Sequence, residues 1–554
     1  MTMRNVARVL VDQLVINGVT HAFCVPGESF LPVLDALRDS PIEVVICRQE
    51  GGAAMMAEAV GKATGRPGVC FVTRGPGATN AAHGIHIAQQ DSTPMIMFVG
   101  LIERRMRERE AFQEFDLRGV FGSMTKWTSE IDDAPRMPEV LSRAFHAATS
   151  GRQGPVVLGL PRDMLDEQIA VPDAPPFVPV ETAPGDDEVA QFHDALLRAE
   201  KPIFILGGSR WSERAWQDIQ DFAARFAVPV VTSYRRLPLF DPLHPSYAGD
   251  LGIGPNPKLV AAIKSADLIV ALGGRLGDIP SQGYTLFDIP AGQNLIHVHP
   301  GAEELGRVYR PQLAINATPA RFSAALAKLA TPKQVAWRGF TETLHQNYRA
   351  WTDVATPQPG GVNLGAIMVW LRETLPPETI LCNGAGNYAA WIHRFYRFRQ
   401  FGTHVAPASG SMGYGVPAAV AMKLLKPERL VISLAGDGDF LMNGQEFATA
   451  VQYDLPIVFI VCDNASYGTI RMHQEREFPG RVVGTDLRNP DFAAYARAFG
   501  GFGVTAEKTE EFPAAFKAAR ESGAPAIIHL KIDVDAITPA TSLSRIREQA
   551  QSRP

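Results

Sequence analysis

The run LVISLA ends in Gly436, Asp437, Gly438 and Asp439, and the run PIVFIVC ends in Asp463, Asn464, Ala465, Ser466, Tyr467 and Gly468. Glycines beside an aspartate let the backbone approach an anion closely, and the amides of a helix start favour phosphate. An aspartate at that strand tip faces phosphate only with a divalent cation between them. For G-D-G alone, an acidic turn with an N-cap aspartate accounts for the residues equally well. The helix after the turn is expected to open near Asn443. Asn464 follows Asp437 by 27 positions, the span of one strand-helix-strand unit, so the two should reach adjacent strand tips. Magnesium takes near-octahedral oxygen ligands, typically one or two carboxylates with phosphate oxygens and water. An aspartate, an asparagine amide oxygen and a nearby carbonyl suit a magnesium diphosphate.

Other loops carry candidate groups. CRQEGG places Glu50 at the end of a strand and the start of a helix, where a carboxylate also simply complements the helix dipole. VPGESF puts Pro26, Gly27 and Glu28 at the tip of the first strand. In IERRMREREAFQEFD (102–116) the charged part reads by itself as a solvated face.

The elements that must hold these loops form a repeated pattern. HAFCV (21–25), EVVICR (43–48), GVCFVT (68–73), MIMFVG (95–100) and PVVLGLP (155–161) alternate with helical periods, the mark of a parallel sheet covered on both faces. The proline-rich VPDAPPFVPVETAPG (171–185) reads as an extended linker. The alternation restarts at KPIFILGG, VPVVTS, DLIVALGG and NLIHVHP, breaks at TDVATPQPGG (352–361), and resumes with TILCNGAG, LVISLAGDG, PIVFIVCDN and AIIHLKID. The fold class is α/β: three doubly wound parallel-sheet domains over 1–170, 186–345 and 362–540. Ligands on such sheets bind beyond the carboxyl ends of the strands.

Composition narrows the classes. With 53 Lys+Arg against 58 Asp+Glu, the net charge of −5 argues against a polyanion-binding surface, so nucleic acid is not an expected partner. No apolar run reaches the roughly 20 residues of a membrane span. The 5 cysteines are scattered without a C-x-x-C pair, as in a cytoplasmic protein with reduced thiols.

Taken together, G-D-G and N-A-S-Y-G at this spacing resemble the metal-diphosphate motif of thiamine-diphosphate-dependent enzymes. The likeness extends over all three domains, in the order pyrimidine-binding, central and diphosphate-binding, and is greatest to acetolactate synthase catalytic chains. It implies thiamine diphosphate and Mg²⁺ as cofactors, with Asp437, Asn464 and the carbonyl of Ser466 on the metal. Glu50 would hydrogen-bond the N1′ nitrogen of the aminopyrimidine and share a proton with it; burial against an apolar ring raises a carboxyl pKa toward that task. Met412, in PASGSMGYG, resembles the wedge that bends the cofactor, although core packing also explains a methionine there. Gly410 would contact the pyrimidine. Asn387, Tyr388 and Gly436 to Asp439 would anchor the diphosphate, with Tyr467, Gly468 and Thr469 beside them and Pro26 and Gly27 facing the thiazolium. Phe112 and Gln113 are carried over as residues beside the reacting carbons. Lys126 and Arg162 follow the family pattern, mainly as architecture.

The chain departs from that pattern in three places. Glu28 stands where glycine is usual and would favour proton transfer or a neutral acceptor; a solvated loop glutamate is an equal reading. Leu276-Gly277-Asp278-Ile279 replaces a tetrad closed by arginine, so the cation expected on the second substrate's carboxylate is absent unless Arg471 or Arg275 compensates. His473 occupies the stretch that normally supplies a tryptophan to the acceptor pocket. The expected activity is decarboxylation of a 2-oxo acid such as pyruvate and ligation to an acceptor carbonyl, in a homodimer or homotetramer with active sites between subunits. A 2-oxo-acid decarboxylase, or a lyase acting on 2-hydroxy ketones or acyl-CoA, shares the same activation chemistry. The resemblance leaves room for flavin adenine dinucleotide in the central domain, on which the lone glycine pairs at 207–208 and 273–274 do not decide. An NAD oxidoreductase would need G-x-G-x-x-G after a first strand, which the first domain lacks. A non-catalytic nucleotide sensor would be expected to lose Glu50 or the metal pair.

Overall fold

The computed structural model describes residues 2–289 and 294–552. Its contacts divide into two compact units, one of Met1–Val180 with Val420–Leu425 and Asn443–Tyr453, the other of Glu181–Ala419, Lys426–Met442 and Asp454–Pro554.

The first unit holds a six-stranded parallel sheet in the order Glu43–Ile46, His21–Cys24, Gly68–Thr73, Met95–Leu101, Pro155–Pro161, Trp127–Glu130. Alternate residues feed opposite faces, because strand side chains repeat every second position. Cys24, Phe71, Phe98 and Leu158 pack on one face with the helix Val6–Ile16, and Phe71 stacks on Phe98 with ring centroids 4.9 Å apart. The other face lies beneath Glu50–Thr64 and Arg74–Asp91.

The second unit holds two further six-stranded parallel sheets. One runs Tyr247–Leu251, Val230–Ser233, Pro202–Leu206, Leu268–Leu272, Asn294–Val298, Leu313–Ile315. Its faces feed separate cores, with Phe204, Leu206, Val230 and Val270 on one side and Ile203, Ile205, Val231 and Ile269 on the other. This is the strand order of dinucleotide-binding domains, but its first loop is Gly207-Gly208-Ser209 and strand order alone assigns no ligand. Gly208, at φ +71°, comes so close to the Gly273 carbonyl that a Cβ there would sit 1.7 Å from the oxygen. The close approach of the two loops accounts for both glycine pairs.

The other sheet runs His404–Val405, Ile380–Asn383, Val431–Gly436, Ile457–Asp463, Ala526–Lys531, Phe502–Ala506. The strand order reverses between Ile380–Asn383 and Val431–Gly436, which leaves a crevice beyond their carboxyl ends. The first sheet has the same reversal between His21–Cys24 and Gly68–Thr73. No described helix is long and apolar enough to cross a membrane, and all 5 cysteines are free and buried.

Candidate active site

A cavity of about 220 Å³ occupies the crevice of the last sheet. The strands on either side of the diphosphate candidates are in register, Gly436 opposite Cys462, so Asp437 and Asn464 do lie on adjacent strand tips. Asp437 is buried, and its helix begins at Asp437 itself and ends at Asn443. The expectation that the helix opens near Asn443 is corrected: Asp437 and Asp439 occupy the first turn, where negative charge meets the positive end of the dipole.

Asp437 accepts the Gly438 amide at 2.9 Å and the Asn489 side-chain amide at 2.7 Å. Asn489 also donates to Asp463 at 2.7 Å, and Asp463 accepts from His529 at 2.8 Å and Lys531 at 2.6 Å. Burial pushes the Asp437 carboxyl up to about 6. Burial acts on Asp463 in the same sense, but hydrogen bonds from His529, Lys531 and Asn489 overcome it and hold that group well below the usual carboxylate range. Among the described residues no cationic side chain contacts Asp437, whereas Asp463 beside it is held by His529 and Lys531. Asn464 Oδ1 accepts the Ser466 amide at 3.1 Å, and the Ser466 carbonyl accepts the Gly468 amide at 2.7 Å. Ala465 between them takes φ +51°, which folds Asn464 and Ser466 into one tight turn. The donor set is three hard oxygens, suited to a small divalent cation rather than to a soft metal. Asn489→Ala leaves two carboxylates facing each other across a gap and is expected to weaken Mg²⁺ affinity by about tenfold, read by titrating Mg²⁺ against cofactor binding.

Gly410, Met412, Tyr467, Gly468 and Thr469 line the cavity. Gly438 does so too, but its missing Cβ makes room for the Tyr467 ring, which would stand 2.5 Å away, rather than for an anion. Asn387 and Tyr388 line the cavity while their polar atoms are turned to the protein. Asn387 donates to the Ile537 carbonyl at 3.0 Å and accepts from the Thr469 hydroxyl at 2.9 Å. Tyr388 donates to Asp439 at 2.6 Å, and Asp439 accepts the Gly413 amide at 2.6 Å. Asp439 is buried, its carboxyl pushed up to about 6 by that burial, and it acts as a crosspiece that fixes the Met412 segment against Tyr388.

His473 is exposed and does not line the cavity; from its helix, Gly468, Thr469 and Ile470 do. Arg471 is held by Glu475 at 3.2 Å and Asp486 at 3.3 Å and so is engaged elsewhere. Lys126 donates to the Ser150 carbonyl and Arg162 pairs with Asp166, both local contacts.

In the first unit, Glu50 is the first residue of Glu50–Thr64 and accepts the Asn80 amide at 2.9 Å. The preceding turn is fixed by Glu446, which accepts the Arg48 and Gln49 amides at 3.0 Å each and the Thr449 hydroxyl at 2.6 Å. Glu446 is fully buried, and Gly52 permits its approach, since a Cβ there would lie 2.5 Å from the carboxylate. Gly27 packs against Thr73, where a Cβ would meet that side chain at 2.5 Å, and this draws Pro26 and Glu28 to the strand tips. Glu28 is paired with Arg74 at 3.3 Å. The Arg74 guanidinium lies 5.9 Å from the Phe112 ring centroid, and the Gln113 carbonyl accepts the Gly75 amide at 3.1 Å. Asn80, Glu446, Asn489 and Arg74 escaped the sequence reading. Only Arg74 carried a usable signal, being the residue at the tip of the GVCFVT strand.

Against known proteins, residues 4–120 match the family model "Thiamine pyrophosphate enzyme, N-terminal TPP binding domain", residues 189–328 the corresponding central domain, and residues 384–530 the C-terminal TPP binding domain. The chain is 30% identical over 536 residues to the acetolactate synthase isozyme 2 large subunit of Escherichia coli K12, covering 96% of each. It is also 30% identical over 550 residues to the acetolactate synthase large subunit of Corynebacterium glutamicum, with 96% of this chain and 87% of that protein covered. It is 26% identical over 536 residues to the acetolactate synthase of Bacillus subtilis, with 95% and 93% covered.

Proposed function

Because the chain belongs to the thiamine-pyrophosphate enzyme family and is of the acetolactate synthase type, we propose that it decarboxylates a 2-oxo acid such as pyruvate and joins the remaining fragment to an acceptor carbonyl. The observation that carries this reading is the oxygen set of Asp437, Asn464 and Ser466 at the crevice where the strand order reverses. Those three would hold Mg²⁺, and the helix start at Asp437 would lie along the diphosphate. When bound, thiamine diphosphate supplies an electron sink that lets a 2-oxo acid lose carbon dioxide.

The chain's own residues do the rest. Glu50 holds a proton at its carboxyl group, with Asn80 fixing the oxygen that accepts its hydrogen bond and Glu446 fixing the turn before it. Met412 props the cavity wall, and Asp439 keeps that prop in place through the Gly413 amide. Phe112, 73% exposed, offers an apolar face to the reacting carbons.

In this reading the protein is a homodimer or homotetramer, and Glu50 of one subunit serves the Asp437 end of another, with domains over 1–170, 186–345 and 362–540. The test is incubation of purified protein with thiamine diphosphate, Mg²⁺ and pyruvate, with and without added aldehydes, followed by mass analysis. Carbon dioxide with a ligated hydroxy-ketone product is the expected result. Acetaldehyde alone would make it a decarboxylase, and no carbon dioxide from any 2-oxo acid would overturn the reading. A flavin absorption band in the purified protein would report flavin independently.

A further inference from the structure

Among the basic side chains of the first unit, Arg74 is placed differently. Arg4 is tied to Asp12 and Asp173, Arg104 to Asp163 and Glu167, and Arg107 to Glu130 and Asp132. Arg74 instead sits where the strand order of its sheet reverses, as the first residue of the helix Arg74–Asp91 directly after Gly68–Thr73, facing Glu28 beyond the end of His21–Cys24. Ligands of such sheets enter between those two strand ends.

Its bonding is incomplete. Among the described residues, the side chain is only 15% exposed, its Nε is buried without a hydrogen-bond partner, and its single ion pair is a long 3.3 Å contact to Glu28, itself 63% exposed. The Phe112 ring at 5.9 Å lies at the outer edge of useful cation–π attraction. A guanidinium drawn out of water is costly unless its fork is filled, and its planar geometry matches a carboxylate bidentately. The backbone is strained as well: Arg74 takes φ +39° and Gln113 φ +67°, and the two are linked through the Gly75 amide. Strain persists only where the surroundings impose it, and it concentrates at ligand sites.

We propose that Arg74 is the cation that binds the substrate's carboxylate, with Glu28 as the mobile counter-ion it exchanges for that ligand. This rests on the functional reading above and makes its substrate class explicit: an anionic 2-oxo acid engaged from the first unit's sheet rather than from the central domain, where Ile279 supplies no charge. Glu28 is then a competitor for the guanidinium and not a proton donor.

The two side chains give effects of opposite sign. In the holoenzyme, Arg74→Gln is expected to raise KM for pyruvate by about tenfold or more, with thiamine-diphosphate affinity and melting temperature unchanged, and Arg74→Lys to fall between it and wild type. Glu28→Gln, which removes the competitor, is expected to lower that KM. An unchanged KM in Arg74→Gln overturns the assignment while pyruvate turnover by the wild type keeps the functional reading. Loss of cofactor binding or melting temperature in step with KM overturns it too, by showing a structural role. If the wild type releases no carbon dioxide, the functional reading falls and calorimetric titration with pyruvate decides on its own. Weaker binding by Arg74→Gln then supports the assignment, and no binding by the wild type, or equal binding by both, overturns it.

Discussion

Glu50→Gln is expected to lower kcat by about 10²- to 10⁴-fold while leaving cofactor affinity nearly intact, the range set by removing a general acid–base group. The substitution is nearly isosteric, and the amide oxygen can still accept the Asn80 hydrogen bond seen at 2.9 Å. The turn that presents residue 50 depends on Glu446 accepting the Arg48 and Gln49 amides, which the change does not touch. What is lost is only the capacity to release and recover a proton at one oxygen. Carbon dioxide release gives kcat, and quenching of tryptophan fluorescence on adding thiamine diphosphate gives affinity. Near-normal turnover in this variant would remove Glu50 from the chemistry.

Asp437→Ala is expected to weaken binding of Mg²⁺ and thiamine diphosphate together, by about 10²-fold or more, since truncating even an outer partner of a metal ligand costs about 10- to 100-fold. The truncation also leaves Asn489 bonded to Asp463 alone in a buried site. Loss of a charge from the first turn of Asp437–Asn443 costs only about 0.3 to 1 kcal/mol, too little to account for such a change. Asp437→Asn, which keeps shape and removes charge, should fall between the two proteins. Calorimetric titration of each ligand in the presence of the other measures the effect, and unchanged affinities would exclude Asp437 from the metal site.

The interior strands were legible because both faces of a parallel sheet are buried, which makes each a continuous apolar run. Of the described strands in the three parallel sheets, the five that escaped, Trp127–Glu130, Tyr247–Leu251, Leu313–Ile315, His404–Val405 and Phe502–Ala506, all lie at sheet edges, and the short antiparallel pair Arg4–Asn5 and Gln168–Ile169 escaped as well. Trp127–Glu130 has no fully buried residue and Phe502–Ala506 only one, so no apolar run marks them. The family was legible because metal and diphosphate demand particular residue types at fixed offsets across two adjacent strand tips. Asn80, Glu446 and Asn489 were not, because their roles depend on which distant loop they meet. Glu446 reaches a turn nearly four hundred positions away in sequence. Glycines could mislead in the other direction, since Gly438 and Gly208 yield space to a tyrosine ring and a carbonyl rather than to a ligand.

The central claim is that one active site takes Glu50 from one subunit and Asp437 from another. Its most direct test is to co-express Glu50→Gln and Asp437→Ala chains, each inactive alone, with separate affinity tags and to purify the mixed dimers. The account predicts that every mixed dimer regains one fully wild-type site and about half the normal carbon dioxide release. Mixed dimers as inactive as either parent would contradict it, because both groups would then serve the same subunit's own cofactor.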